Sequence, residues 1–136
     1  MEDYKKPLPI ITENNRPFWE ATKNHELRLQ KCAKCAKFWY PSGPLCPHCW
    51  SRDYEWTRVS GRGRVTSWVV FHQVYFDSFK EDVPYNVAQV ELAEGPRLMS
   101  GLVNIKNEEI IMDMPVEVVF EDVTEEVTLH KFRPVR

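Results

Sequence analysis

The sequence predicts a mainly β protein: a helical leader over residues 1–30, a four-cysteine ribbon over 31–60 and a five-stranded barrel over 61–136. Three observations predict it. Two Cys-x2-Cys pairs stand ten residues apart, the apolar pattern changes to strict alternation at Gly61, and ten prolines against five glycines favour many connections over long helices. A length of 136 residues suits one domain of ordinary size, or a small module joined to a domain, and excludes a large barrel enzyme or a two-domain dinucleotide dehydrogenase. Hydrophobic residues at 43% and charged residues at 28% are enough for a core and argue against disorder. No apolar run approaches the roughly 20 residues of a membrane helix. The stretch Met1 to Ile10 lacks the apolar segment of a signal peptide. The expected location is therefore the cytoplasm, where disulfides are rare, so the four cysteines need another role.

In the leader, Thr12 to Leu29 reads as helical. Thr12 or Asn14 is a candidate cap and Pro17 suits a first turn. Phe18, Trp19, Thr22 and Glu26 follow helical spacing, and Asn24 is a candidate stop that leaves Leu27 to Gln30 extended. Phe18 and Trp19, being adjacent, do not share one narrow stripe. One of them is expected on a neighbouring module or a partner, unless both simply cover the core of a small protein.

Cys32-Ala-Lys-Cys35 and Cys46-Pro-His-Cys49 carry the strongest signal in the chain. Each pair makes a tight turn that aims two sulfurs at one point, and two such turns facing one another build the tetrahedral four-sulfur site of a structural zinc ribbon. The same sulfurs would equally suit an iron site of the rubredoxin kind. A redox pair needs only one Cys-x2-Cys and a βαβ setting, which is absent here. His48 lies inside the second turn and reads as exposed rather than ligating. So small a module draws much of its folding energy from its metal. Phe38, Trp39, Tyr40, Trp50, Tyr54 and Trp56 add aromatic packing and a surface for docking on the next module.

From Gly61 onward the period is two. A long strand is expected over Arg64–Phe76, with Val65, Ser67, Val69, Phe71 and Gln73 on one face and Thr66, Trp68, Val70 and His72 on the other. Further strands are expected at Tyr85–Leu92, Arg97–Val103, Val116–Phe120 and Val127–Phe132, with one helical turn between Asn107 and Met112. Five short strands led by a long one suit the partly open Greek-key barrel called the OB-fold, with an SH3-like barrel as the alternative.

The order of these modules resembles the zinc-ribbon/OB-fold acyl-CoA-associated proteins, a family long called a domain of unknown function. The matching segments include Pro17-Phe-Trp-Glu20, Leu27-Arg-Leu-Gln-Lys-Cys32, Leu45-Cys-Pro-His-Cys49, Ser60-Gly-Arg-Gly-Arg-Val65, Leu92-Ala-Glu-Gly-Pro-Arg-Leu98 and Met114-Pro-Val-Glu-Val-Val-Phe120. Three positions depart from it. Ala36 and Trp50 follow the second cysteine of each pair, where such ribbons often place Gly, and Asp113 stands where a Gly often precedes Met-Pro-Val. The resemblance implies a small partner subunit of thiolase-like acyltransferases, condensing enzymes or aldolases, in a hetero-oligomer, helping to hold coenzyme A thioesters. In that setting Arg62, Arg64 and Arg97 are the candidate phosphate contacts, since Gly61 and Gly63 let the backbone approach closely, unless those glycines only make a turn and the arginines are solvated. Phe18, Trp19, Trp68, Phe71, His72, Tyr75 and Phe76 are the candidate interface residues.

No catalyst is visible. His25, His48, His72 and His130 sit in no acid–base constellation, nucleophile elbow or phosphate loop, and a zinc held by four sulfurs has no open position. His72 is the best remaining candidate for proton work, against a hydrogen-bonded barrel or interface histidine. The charge is split. Residues 1–64 carry 12 Lys/Arg and 7 Asp/Glu, whereas residues 65–136 carry 6 and 13. The acidic barrel disfavours the rival reading, a nucleic-acid binder, and leaves the ribbon side for phosphates or an acidic partner. A third reading is a purely structural partner subunit with no ligand.

Overall fold

The structure is a computed structural model that describes residues 6, 8–74 and 77–135. It is mainly β with one short helix, as the sequence predicts. Helix α1 spans Arg16–Lys23, with Asn15 at its N-cap position and Pro17 in its first turn. The helix starts later than expected because Thr12 and Asn15 form a turn ahead of it. The Thr12 amide donates to Asn15 Oδ1 at 2.7 Å, and the Arg16 amide to the Thr12 carbonyl at 2.8 Å. It ends at Asn24, and His25 takes the left-handed conformation (φ 57°) that closes a helix C-terminus. The His25 ring stacks on Phe120 and lies 3.1 Å from Asp122, contacts that offset the cost of a side chain in that conformation.

Strands β1 (Arg28–Cys32), β2 (Phe38–Trp39) and β3 (Tyr54–Arg58) form a small antiparallel sheet in the order β2-β1-β3. The ribbon sheet thus begins before residue 31. Strands β4 (Arg62–Phe71), β5 (Tyr85–Leu92), β6 (Arg97–Ser100), β7 (Pro115–Asp122) and β8 (Thr128–Pro134) form a curled five-stranded sheet in the order β6-β5-β4-β7-β8. Its two edges meet where Leu102 bridges Phe132 and the Val103 amide donates to the Phe132 carbonyl at 2.8 Å. One core joins all three parts. Phe18 and Leu27 come from the leader, Leu29 from the ribbon, and Val65, Val90, Leu98, Val116 and Phe132 from the barrel. Phe18 is buried, and Trp19 packs half-buried against it edge-on at 5.0 Å, so both cover the core.

The first barrel strand differs from the sequence reading. It stops at Phe71, and a bulge between Val65 and Ser67 shifts the register. Val65 pairs with Val90 inside, but Ser67 pairs with Gln89, and Trp68 with Ala88, so Trp68 joins Val65 on the inner face while Ser67 and Val69 turn outward. An extra residue reverses the parity of everything beyond it.

Glycines set the junction. Gly61 turns the chain at φ +77°, with Val118 against it, and Gly63 lies flat on β5, where a methyl group would meet the Glu91 carbonyl and come within 2.9 Å of Val90 Cγ1. Gly63→Ala is expected to lose about 2–3 kcal/mol, because the obstacle is backbone rather than a flexible side chain. A lowered denaturant midpoint at unchanged slope checks this; an unchanged midpoint refutes it.

Candidate functional site

The two cysteine turns are built alike. In the first, the Cys32 amide donates to the Lys37 carbonyl and the Ala36 amide to the Cys32 carbonyl; in the second, the Cys46 amide donates to the Ser51 carbonyl and the Trp50 amide to the Cys46 carbonyl. Closing each turn needs a left-handed residue, and Ala36 (φ 62°) and Trp50 (φ 64°) supply it at the glycine-favouring positions noted in the sequence. Asp113 behaves likewise (φ 63°). The turns direct amides at sulfur: Lys34 and Cys35 donate to Cys32 Sγ, and His48 to Cys46 Sγ, all at 3.3 Å. His48 therefore serves through its backbone, and its side chain is exposed.

All four sulfurs lie within 4.8 Å of one another, with Cys32 to Cys49 at 3.5 Å and Cys35 to Cys46 at 3.6 Å. A zinc tetrahedron with Zn–S near 2.3 Å has edges of about 3.8 Å, so the set fits the ion. Amide donation, first from Cys35, brings the Cys32 thiol down to about 6 despite burial. The Ser51 amide also lowers Cys49, but burial and three neighbouring sulfurs outweigh it and push that thiol up to about 11. Crowded thiols of this kind favour a cation among them. A metal held here has four sulfurs and no place for water, so it is a cross-link rather than a reagent.

On the barrel, along β4, β5 and the turn after β5, lies an open groove of about 580 Å³ whose walls include Arg62, Gly63, Arg64, Glu91, Leu92 and Gly95. Arg64 pairs with Asp113 and, at 2.6 Å, with Glu91, and Arg97 reaches Glu91 at 3.5 Å. Arg62 is exposed and makes no ion pair among the described residues. The junction is fixed by Glu94, whose carboxylate accepts from the Ser60 amide at 2.8 Å.

Of the expected interface residues, Trp68 packs against the core, Phe71 stacks on Tyr85 at 5.1 Å, and His72 is exposed beyond the end of β4. Tyr75 and Phe76 lie outside the described residues. The outer sheet face still presents Val69 and Met99, at 53% and 59% exposure.

Sequence reasoning passed over three buried polar side chains. Gln30 clamps Gly43 through both its amide atoms, at 2.8 and 2.9 Å. Trp39 Nε1 and both ring nitrogens of His130 are buried without a partner among the described residues. Alternation alone marks such positions as inward, and nothing in the sequence says whether a partner awaits them.

Comparison with known proteins agrees with this architecture. Residues 19–55 match the rubredoxin-like zinc ribbon domain of ChsH2, and residues 56–121 match its C-terminal OB-fold domain. A probable enoyl-CoA hydratase alpha subunit from Thermomonospora curvata is 40% identical over 95% of this chain, which spans only 40% of that protein's length. The benzoylsuccinyl-CoA thiolase subunit BbsA from Geobacter metallireducens is 32% identical over 72% of this chain and 66% of its own. Among solved structures, a chain of the Ltp2-ChsH2(DUF35) aldolase superposes with a TM-score of 0.85 at 40% identity, over 93% of this chain and 98% of that one. With both domains matched in order and the whole fold reproduced, the chain belongs to the ChsH2 (DUF35) family of zinc-ribbon/OB-fold proteins.

Proposed function

We propose that the chain is an accessory subunit without chemistry of its own, which docks on a thiolase-like acyltransferase, condensing enzyme or aldolase and helps hold its acyl-CoA. One observation carries the reading: the relatives are named as subunits of a CoA hydratase and a CoA thiolase, and the similar solved chain is part of an aldolase. The site supports it. The four-sulfur centre offers a metal no open position, and apart from Arg62 the charged groups beside the groove are carboxylates and guanidinia paired with one another. Arg62 is the cation left over at the groove; Gly61 and Gly63 beside it are filled by Val118 and by β5, so they make the turn and the strand contact rather than a phosphate cradle. Val69 and Met99 supply apolar area for a protein partner. Nucleic acid is less well supported, since Trp68 and Phe71 already have their rings engaged and the barrel half is acidic.

The test is titration calorimetry of an acyl-CoA into the assembled complex. Arg62→Glu is expected to weaken binding about tenfold, the effect of losing a charge-assisted contact, with the unfolding midpoint unchanged because the Arg62 side chain makes no ion pair among the described residues. Equal affinity for variant and wild type sinks the assignment of Arg62.

A further inference from the structure

Among the described residues, five that are not glycine hold the left-handed backbone conformation: His25, Ala36, Trp50, Asn104 and Asp113. The Cβ of an L-residue is strained there, and such strain persists where something answers it. Four of the five carry their answer within the chain. His25 stacks on Phe120 and meets Asp122, and Asp113 pairs with Arg64. Asn104 has the short polar side chain that suits this backbone, and Ala36 has only a methyl group to accommodate.

Trp50 has no such answer. It carries the largest side chain of the five, yet it is 78% exposed, and its ring makes no hydrogen bond or ring contact among the described residues. The other four tryptophans are buried or half-buried. Glycine would close the same turn without strain and without putting an indole into water. Two costs therefore fall on one side chain, and neither is offset inside the molecule.

The turn also fixes the base of the ring. The Trp50 amide donates to the Cys46 carbonyl at 2.8 Å, the Cys46 amide to the Ser51 carbonyl at 2.9 Å, and Cys46 and Cys49 both belong to the four-sulfur cluster. A backbone clamped in this way loses little freedom on docking. A preorganised, exposed tryptophan is the side chain best suited to anchor a protein interface by filling a pocket. The Ala33 amide donates to the Asp53 carbonyl at 2.9 Å, so the first cysteine turn lies against the loop that follows Trp50. Lys34 and Arg52, on those two segments, are exposed and make no ion pair among the described residues.

We infer that Trp50 anchors the docking of this chain on its thiolase-like partner, its indole filling an apolar cleft whose rim carries carboxylates for Lys34 and Arg52. This rests on the accessory-subunit reading and gives it a contact on the ribbon, beyond the sheet face at Val69 and Met99.

The experiment titrates the full zinc-loaded chain against the thiolase-like enzyme that co-purifies with it, identified by mass spectrometry. Trp50→Gly and Trp50→Asn, both suited to left-handed backbone, should weaken that affinity about thirtyfold or more, the loss of an interface hot spot. The unfolding midpoint of either variant alone should be no lower than that of the wild type, since the strain is relieved and no internal contact is lost. Affinity equal to wild type overturns the anchor and spares the accessory-subunit reading. A lowered midpoint in both variants shows that the ring packs within its own chain, and also overturns it. A wild-type chain that sediments alone as a dimer, and as a monomer with Trp50→Gly, gives the ring to a second copy and overturns the partner assignment. If no thiolase-like enzyme co-purifies with the wild type, the accessory-subunit reading falls and the anchor with it.

Discussion

Stripping the metal with a strong chelator should unfold the ribbon and lower the stability of the whole chain. The ribbon sheet has strands of five, two and five residues, and its private core is only Trp39 with Cys32 and Cys46. That is far too little apolar area to offset the chain entropy of about thirty residues. In zinc-finger peptides the metal supplies on the order of 10–16 kcal/mol, which is folding free energy because the site does not exist in the unfolded chain. The loss would not stop at the ribbon. Leu29 of β1 lies in the same core as Phe18, Val65 and Phe132, and the Val59 amide donates to the Leu27 carbonyl at 2.8 Å. Amide spectra of the metal-free chain should lose dispersion over residues 31–55, and the unfolding midpoint of the barrel should fall as well. Cys46→Ser, at a fully buried ligand, should reproduce both effects, with the bound-metal ratio dropping below one ion per chain on elemental analysis. A metal-free chain that keeps its ribbon dispersion and midpoint would show that the four sulfurs hold no structural ion.

The legible parts of this protein are those where local chemistry decides. The cysteine spacing announced the four-sulfur cluster, and strand β5 matches its expected span residue for residue, because Ala88, Val90 and Leu92 alternate inward without interruption. The glycine-favouring character of positions 36, 50 and 113 came only from the family resemblance, since the residues there are not glycine; the backbone holds all three left-handed regardless. For Asp113 the compensation is its ion pair with Arg64. What was not legible depends on one extra residue or on distant partners. The bulge at Thr66 sends Val69 outward, and period two carries no warning of it. Arg64 and Arg97 read as free cations until Glu91 arrives from β5 and Asp113 from the turn before β7.

Lowering the pH from neutrality towards 4 should weaken the fold at His130, separately from any loosening of metal-bound thiolates by protonation. It stands on β8 under helix α1, with Phe18 edge-on at 5.3 Å and Trp19 at 6.3 Å, and both ring nitrogens are buried without a partner among the described residues. Burial first, and the neighbouring Lys131 charge second, hold its pKa down to about 4 against an ordinary 6.5. In the unfolded chain the ring takes its proton near 6.5, whereas in the folded chain it resists until about 4. Between those values the unfolded state binds more protons, so stability falls as pH falls, by roughly 3 kcal/mol across the whole window. Asp122 acts in a different range. Its carboxyl is lowered by the Thr128 hydroxyl and by His25, so its contribution is lost only as the pH drops below the ordinary carboxylate value of 3.8. His130→Phe keeps the aromatic contacts, removes both unpaired nitrogens and removes the titration. It should raise stability at neutral pH by about 1 kcal/mol, the cost of an unmet buried polar group, and flatten the profile between pH 6.5 and 4. Denaturant unfolding of wild type and variant at several pH values measures both. Parallel profiles for the two proteins would mean that His130 finds hydration or a partner in solution, and that the acid sensitivity of the helix–barrel seam lies elsewhere.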